Sequence, residues 1–386
     1  MKNTVKFIQL LNKIIKRKNI HKIGLHEPSI GQDDINSVTQ CLKNKHISGE
    51  GPYLSRFERN LSQIVNSKYI VCVSSGTAAL HVACKLIGLE KNQEVFMPNL
   101  NYISSANAVL YCGGIPHLVD ISEKTLGIDP LKLEEYIKKV TYIKNSKLYN
   151  KFTGNIIKAI IPLHTFGHPC EIENIVRIAK KYKLECIEDS AEGLGSKYNN
   201  KHLGTFGKIG ILSFNGNKTI STGAGGALIL NSKILEKKAR ILINLCKKNH
   251  KWKYDYFSLG FNYKMPNINA ALGCSQIKKL KSIMLHQRNL YKYYKSKLDN
   301  LGLGKVFKEP EKCKSNYWLQ TFILKKSDKL LKDKIVNKTN LIGVPTRTAW
   351  KLLDEINFLK QYPKMNLSSS KNIFNKIINL PSSINF

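Results

Sequence analysis

Three short strings carry residue types that could do chemistry together. In SFNGNKTISTGAGG (213–226) one lysine, Lys218, lies between an apolar run and a glycine-bearing loop. A lysine held in a site can lose its proton and form a Schiff base with a carbonyl. In IEDSAEGLG (187–195), Asp189 ends an apolar run and Glu192 follows among small residues. A carboxylate at the carboxyl end of a strand can hold a proton on a ring nitrogen. In VSSGTAAL (73–80), Ser75, Gly76 and Thr77 mark a strand-to-helix turn. Free N–H groups and the helix dipole at such a turn suit a phosphate. Each string also has an ordinary reading: a surface lysine, a turn-capping aspartate, a helix cap. A fourth string, GFNYKMPNINAALG (260–273), reads as a loop leading into a helix.

The elements that must position these residues are legible in the apolar pattern. YIVCV (69–73), EVFMP (94–98), IPHLVD (115–120), IIKAIIPLH (157–164), LECIED (184–189), GILSF (210–214) and GALIL (226–230) read as buried strands. Helical periodicity separates many of them. GPYLSRFERNLSQIV sets Leu54, Phe57, Leu61, Ile64 and Val65 on one face, the 74–89 stretch turns Ala79, Val82, Ala83, Leu86 and Ile87 inward, and 171–183 is helical. This alternation predicts an α/β domain around a mostly parallel sheet, whose ligands bind beyond the carboxyl ends of strands. After about 255 the pattern changes to helical stretches (267–300), a strand-like YWLQTFIL (317–324) and further helical pieces, a smaller α+β domain. Residues 144–155 read as a polar loop before a strand. The expected division is 1–23 (a basic N-terminal helix), 24–255 (the large α/β domain) and 256–386 (the small domain).

A chain of 386 residues with 42% hydrophobic and 23% charged residues is of ordinary globular composition. It is long enough for about two or three domains. No apolar stretch reaches the ~18 residues needed to span a bilayer. The net charge of +35 raises nucleic acid as a partner. Arginine, the better phosphate and base reader, stands only at 17, 56, 59, 177, 240, 288 and 347, and lysines are scattered among asparagine and isoleucine. A solvated surface from a compositional bias toward lysine is the preferred reading, and no nucleic-acid role is expected. The nine cysteines form no CxxC and no zinc-like cluster, so no metal is expected and the thiols read as buried and reduced. The N-terminus is no signal peptide. Phe7, Leu10, Leu11, Ile14 and Ile15 share a helical face beside Lys6, Lys13, Lys16 and Arg17. That pattern fits a basic membrane-surface helix or, more commonly, a terminal helix packed on its own protein.

Taken in order, the strings resemble the DegT/DnrJ/StrS-type sugar aminotransferases, pyridoxal-phosphate enzymes of fold type I. The resemblance runs from about Leu25 to Ser383 and includes ISGEGPYLSRFE (47–58), SSGTAALHVA (74–83), PLHTFGHP (162–169), IEDSAEGLGS (187–196), SFNGNKTISTGAGG (213–226), FNYKMPNINAALG (261–273) and INLPSS (378–383). It implies a mostly parallel mixed sheet sandwiched by helices, with a smaller C-terminal α+β domain, and pyridoxal 5'-phosphate as cofactor. Lys218 takes the position of the Schiff-base lysine and Asp189 that of the acid facing the pyridine nitrogen; both are the expected catalytic residues. Ser75, Gly76, Thr77 and Ser213 match the phosphate cup. Tyr102 takes the place of an aromatic residue stacked on the ring. Asn262 matches a residue that reaches the phosphate from the partner subunit, which implies a homodimer with shared sites. Glu192 stands where many members carry Gln or His near the ring hydroxyl, and Ala224 interrupts the glycine loop. Lys218 argues against the relatives that carry histidine there and dehydrate their substrates.

A narrower resemblance rests on the basic helix before GLHEP (24–28), SNYWLQTFIL (315–324) and GVPTRTAW (343–350). These look like the branch that aminates nucleotide-linked 4-keto-6-deoxy-N-acetylhexosamines in legionaminic-acid-type pathways. The implied reaction moves an amino group from glutamate to such a sugar, in the cytoplasm, for a surface glycan. His164 and Arg347 are candidate substrate contacts. A ketosugar dehydratase, a silent cofactor-binding sensor and a basic nucleic-acid-binding protein are the alternatives.

Overall fold

The computed structural model describes residues 2–16 and 24–383. Its main sheet has nine strands. Seven run in the order Tyr69–Val73, Gly226–Leu230, Ile209–Ser213, Glu185–Asp189, Ile156–Ile160, Glu94–Pro98 and Ile115–Val119. The last five are mutually parallel, and Gly226–Leu230 runs antiparallel to both neighbours. The strands of this parallel block are nearly continuous apolar runs because helices cover both faces. The Gly76–Leu86 and Ser104–Tyr111 helices close one face around Val82, Ala83, Val95 and Ile211. The Pro130–Val140 and Ile172–Lys181 helices close the other at one end around Phe96, Leu133, Ile160 and Ile175. At the opposite end, Pro52–Val65 and Asn267–Gln276 pack over Cys72, Leu212 and Ile229.

The polar 144–155 segment is not simply a loop. Thr141–Lys144 and Lys147–Asn150 form a hairpin, and the second strand pairs with Ile156–Ile160. Asn145 and Ser146 both adopt positive φ (48° and 60°), the geometry of a two-residue hairpin turn. Tyr142 and Tyr149 stack across the ladder at 5.4 Å, and Leu148 is buried beneath it. Within 144–155 only Leu148 and Asn150 are buried, too few against the surrounding lysines for alternation to stand out.

A second core belongs to the small sheet Gly304–Val306, Gln320–Leu324 and Ile377–Leu380. The Lys2–Lys16 helix closes it: Phe7 and Leu11 are wholly buried, and the Phe7 and Phe322 rings lie 4.8 Å apart. Burying such side chains contributes roughly 1.5–3 kcal/mol each, so this face is committed to the protein's own core. Residues 17–23 of the expected N-terminal helix lie outside the described residues. The change of core partner falls inside the Leu280–Leu298 helix, where Ile283 joins the large core and Leu290, Tyr294 and Leu298 the small one. That is later than the 255/256 division drawn from sequence. Among the described residues no helix is long and apolar enough to cross a membrane.

Candidate active site

Strand register builds the site. Val73, Gly226 and Ser213 stand opposite one another across three strands, so the turn after Val73 lies beside Ser213. The approach is close. A Cβ on Gly76 would meet Ser213 Cβ at 2.9 Å, and one on Gly226 would meet the Ser75 backbone at 2.6 Å. Only glycine lets the three turns converge there. Ser75 caps the Gly76–Leu86 helix, its Oγ accepting from Ala78 N at 3.0 Å. Lys218 follows the Ile209–Ser213 strand in a turn closed by its own N–H on Asn215 O (2.9 Å). Asp189 is the last residue of the neighbouring parallel strand.

These residues meet. Ser75, Gly76, Thr77, Tyr102, Asp189, Glu192, Ser213 and Lys218 all line one cavity of about 290 Å³. Lys218 Nζ lies 3.3 Å from Glu192 Oε1 and 4.0 Å from the centre of the Trp318 ring. Asp189 is buried and accepts from Ser105 Oγ (2.9 Å) and Ala191 N (3.1 Å). Burial pushes its carboxyl above the usual range. Glu192 is buried too, with Oε2 accepting from Phe166 N at 2.8 Å. Burial, against the pull of Lys218 and with a push from Asp189, raises it to about 7. An amine, two poised acids and the start of a helix thus line one cavity. Ala224 lines the same cavity without strain, because the positive φ of the glycine loop (+78°) falls on Gly223.

Three expected contacts lie elsewhere. His164 is wholly buried, with Cys170 N donating to Nδ1 (3.1 Å) and Nε2 bonded to Glu188 Oε1 (3.0 Å). Both ring nitrogens are occupied, so His164 is a packing residue and not a substrate contact. Arg347 is exposed and lines a second cavity of about 740 Å³ that shares Asn217, Trp318 and Trp350 with the first. Asn262 is exposed, lines neither cavity and bridges to Asn244.

Sequence reasoning passed over the residues that brace Lys218. Trp318 Nε1 donates to Asn217 O at 2.6 Å. Buried Asn316 donates to Glu192 O, Leu194 O and Thr219 Oγ1, tying the C-terminal segment to both site loops. Both stand in SNYWLQTFIL, a string noticed for its likeness but not for its reach into the site. The positive φ of Tyr317 (49°) turns the chain between them.

A family model described as the DegT/DnrJ/EryC1/StrS aminotransferase family matches residues 28–386. The chain belongs to that family. It is 33% identical over 332 residues to the GDP-perosamine synthase of Escherichia coli O157:H7, covering 84% of this chain and 86% of the relative. It is 28% identical over 355 residues to the UDP-4-amino-4,6-dideoxy-N-acetyl-beta-L-altrosamine transaminase of Campylobacter jejuni (92% and 90%). The fold matches that of Spr1654 from Streptococcus pneumoniae in its PLP-form with a TM-score of 0.84, at 22% identity over 94% of this chain and 93% of that one. The protein is a pyridoxal-phosphate-dependent sugar aminotransferase of fold type I. Its residues fit that cofactor: an amine stands beside a cavity whose rim is a close-packed glycine–serine turn at a helix start, and a buried, only partly bonded carboxylate lies among the lining residues.

Proposed function

We propose that this aminotransferase moves an amino group from glutamate to a nucleotide-linked 4-keto-6-deoxyhexose, most closely the N-acetylated kind, to give a 4-amino sugar for a surface glycan. The observation that carries this reading is the shared cavity of Lys218, Asp189, Glu192 and the Ser75–Gly76–Thr77 turn. Bound pyridoxal phosphate supplies a carbonyl for the amino group and a ring that takes up carbanion electrons. Lys218 would hold the group through its amine and would carry the proton at the carbon being aminated or deaminated. Asp189 keeps the ring nitrogen protonated. Ser75, Gly76, Thr77 and Ser213 hold the phosphate, Tyr102 covers the ring, and Asn262 of the partner subunit completes the cup in a homodimer. Arg347, on the adjoining cavity, suits a carboxylate or phosphate of the substrate.

Support for a sugar acceptor comes from the two relatives, whose names give a GDP-linked and a UDP-linked amino sugar. The experiment is an absorption spectrum of the cofactor-loaded protein before and after glutamate, followed by GDP- and UDP-linked 4-ketosugars. Glutamate should convert the pyridoxal band to the pyridoxamine form with release of 2-oxoglutarate, and one ketosugar should reverse it. A spectrum that ignores glutamate refutes the donor; a pyridoxamine form that no ketosugar discharges refutes the acceptor.

A further inference from the structure

Two groups meet the amine of Lys218 in its cavity. Nζ lies 3.3 Å from Glu192 Oε1 and 4.0 Å from the centre of the Trp318 ring. The lysine side chain is 14% exposed, so an ammonium there has given up most of its water and needs compensation. Glu192 supplies it only in part, because burial raises that carboxyl to about 7 and leaves it partly protonated near neutrality. Asp189 and His26 also act on the amine, but burial raises Asp189 as well, and His26, lowered to about 4 by burial and by Lys218, is uncharged. The Trp318 ring does not titrate. Its face attracts a cation at any pH.

The ring is also held in place. Trp318 is buried, and its Nε1 donates to Asn217 O at 2.6 Å, the carbonyl just before Lys218. Its backbone N–H donates to Asn316 Oδ1 at 2.9 Å, and Asn316 Nδ2 donates to Glu192 O at 2.8 Å. Phe166 N donates to the Glu192 carboxylate at 2.8 Å. Ring, lysine turn and carboxylate are thus tied to one another across a long stretch of chain.

We infer that Trp318 is a positioning residue for Lys218: its ring face docks the ammonium whenever the amine is not combined with the cofactor, and keeps it in the cavity between the two half-reactions. This rests on the role given to Lys218 above.

The test reads the amine itself. Full-length wild type, Trp318→Met and Trp318→Phe, each cofactor-free and loaded with pyridoxamine phosphate, are trace-acetylated across a pH series, and the label on Lys218 is quantified by peptide mass spectrometry. Losing one cation–π contact should move the pH midpoint of labelling down by roughly 0.4–1.5 units in Trp318→Met. Trp318→Phe, which keeps a smaller ring face, should move it by less than about half as much. A second measurement needs no change at Trp318. The tryptophan emission of cofactor-free wild type should change with pH around the labelling midpoint of Lys218, and Lys218→Met should lack that change. An unchanged midpoint in Trp318→Met in either form, or the same emission profile in Lys218→Met as in wild type, overturns the dock. Borohydride reduction of pyridoxal-phosphate-loaded wild type keeps the two readings apart. Cofactor fixed on a lysine other than 218 overturns the role of Lys218 and the dock with it; cofactor fixed on Lys218 beside an unchanged midpoint overturns the dock alone.

Discussion

Glu188 and Asp189 are adjacent on one strand, both buried, and point to opposite faces. Their surroundings differ. Glu188 accepts from Gly204 N (2.6 Å), Phe206 N (2.8 Å), Gly207 N (3.1 Å) and His164 Nε2 (3.0 Å). Because Cys170 N donates to His164 Nδ1, the proton of that ring sits on Nε2, aimed at the carboxylate. Burial pushes Glu188 up, but the His164 bond and the backbone donors hold it below the usual range. Asp189 has two donors, too few, and burial wins. One acid is saturated and fastens the 204–207 turn to the sheet; the other keeps capacity for a ligand. Burial alone does not mark function; the carboxylate capacity that Asp189 keeps beside the cavity does.

The contrast can be broken first at the amine that shares the Asp189 side. Lys218→Ala should lose transamination by about 10²–10⁴-fold, the scale of removing a positioned acid–base group, with the fold intact. Full activity at steady state with glutamate and ketosugar would remove Lys218 from the mechanism. Asp189→Asn should keep the shape and lose the charge, lowering kcat roughly 10²–10³-fold, the cost of one preorganised electrostatic partner. Near wild-type turnover would place Asp189 beside Glu188 as a structural acid. On the opposite face the currency changes. His164→Leu leaves Glu188 ionised and short of a donor, so the protein should lose about 3 kcal/mol or more of stability. Denaturant titration reads this directly, and the folded fraction should retain its kcat within about threefold. A large kcat loss at unchanged stability would return His164 to the substrate site.

Much of this was legible in the sequence, for reasons that differ by element. The buried strands of the main sheet announce themselves because sandwiched parallel strands are continuous apolar runs. Lys218, Asp189 and the Ser75–Thr77 turn stand in local strings at strand ends, where chemistry and position coincide. The hairpin at 141–150 was hidden because one inward leucine cannot outweigh its lysines. Strand Gln320–Leu324 begins three residues later than its apolar pattern, since Tyr317 turns left-handed. Trp318 and Asn316 were illegible as site residues because they come from a segment distant in the chain; only folding brings Trp318 over Lys218. His164 misled for the same reason. A histidine after an apolar run says nothing of Glu188 and Cys170, which occupy it.

Glu192 offers the finest division between the two kinds of acid, because Lys218 neutralises it only in part. Its pKa rises from an ordinary 4.5 to about 7 on folding. A group raised in this way favours the fold when protonated. Its stabilising share is fully present below about pH 4.5, declines as pH rises, and is gone above about pH 7. Glu192→Gln cannot titrate. The mutant should therefore gain stability relative to wild type between these two pH values, by up to about 3 kcal/mol, and hold that gain at higher pH. Denaturation midpoints of the cofactor-free proteins at pH 5 and pH 8 measure it. A stability difference that does not change with pH would mean that Lys218 keeps Glu192 ionised throughout, as the backbone donors and His164 keep Glu188. In a Lys218→Ala background the pH-dependent difference should widen, since the nearest cation is gone and burial acts unopposed by it.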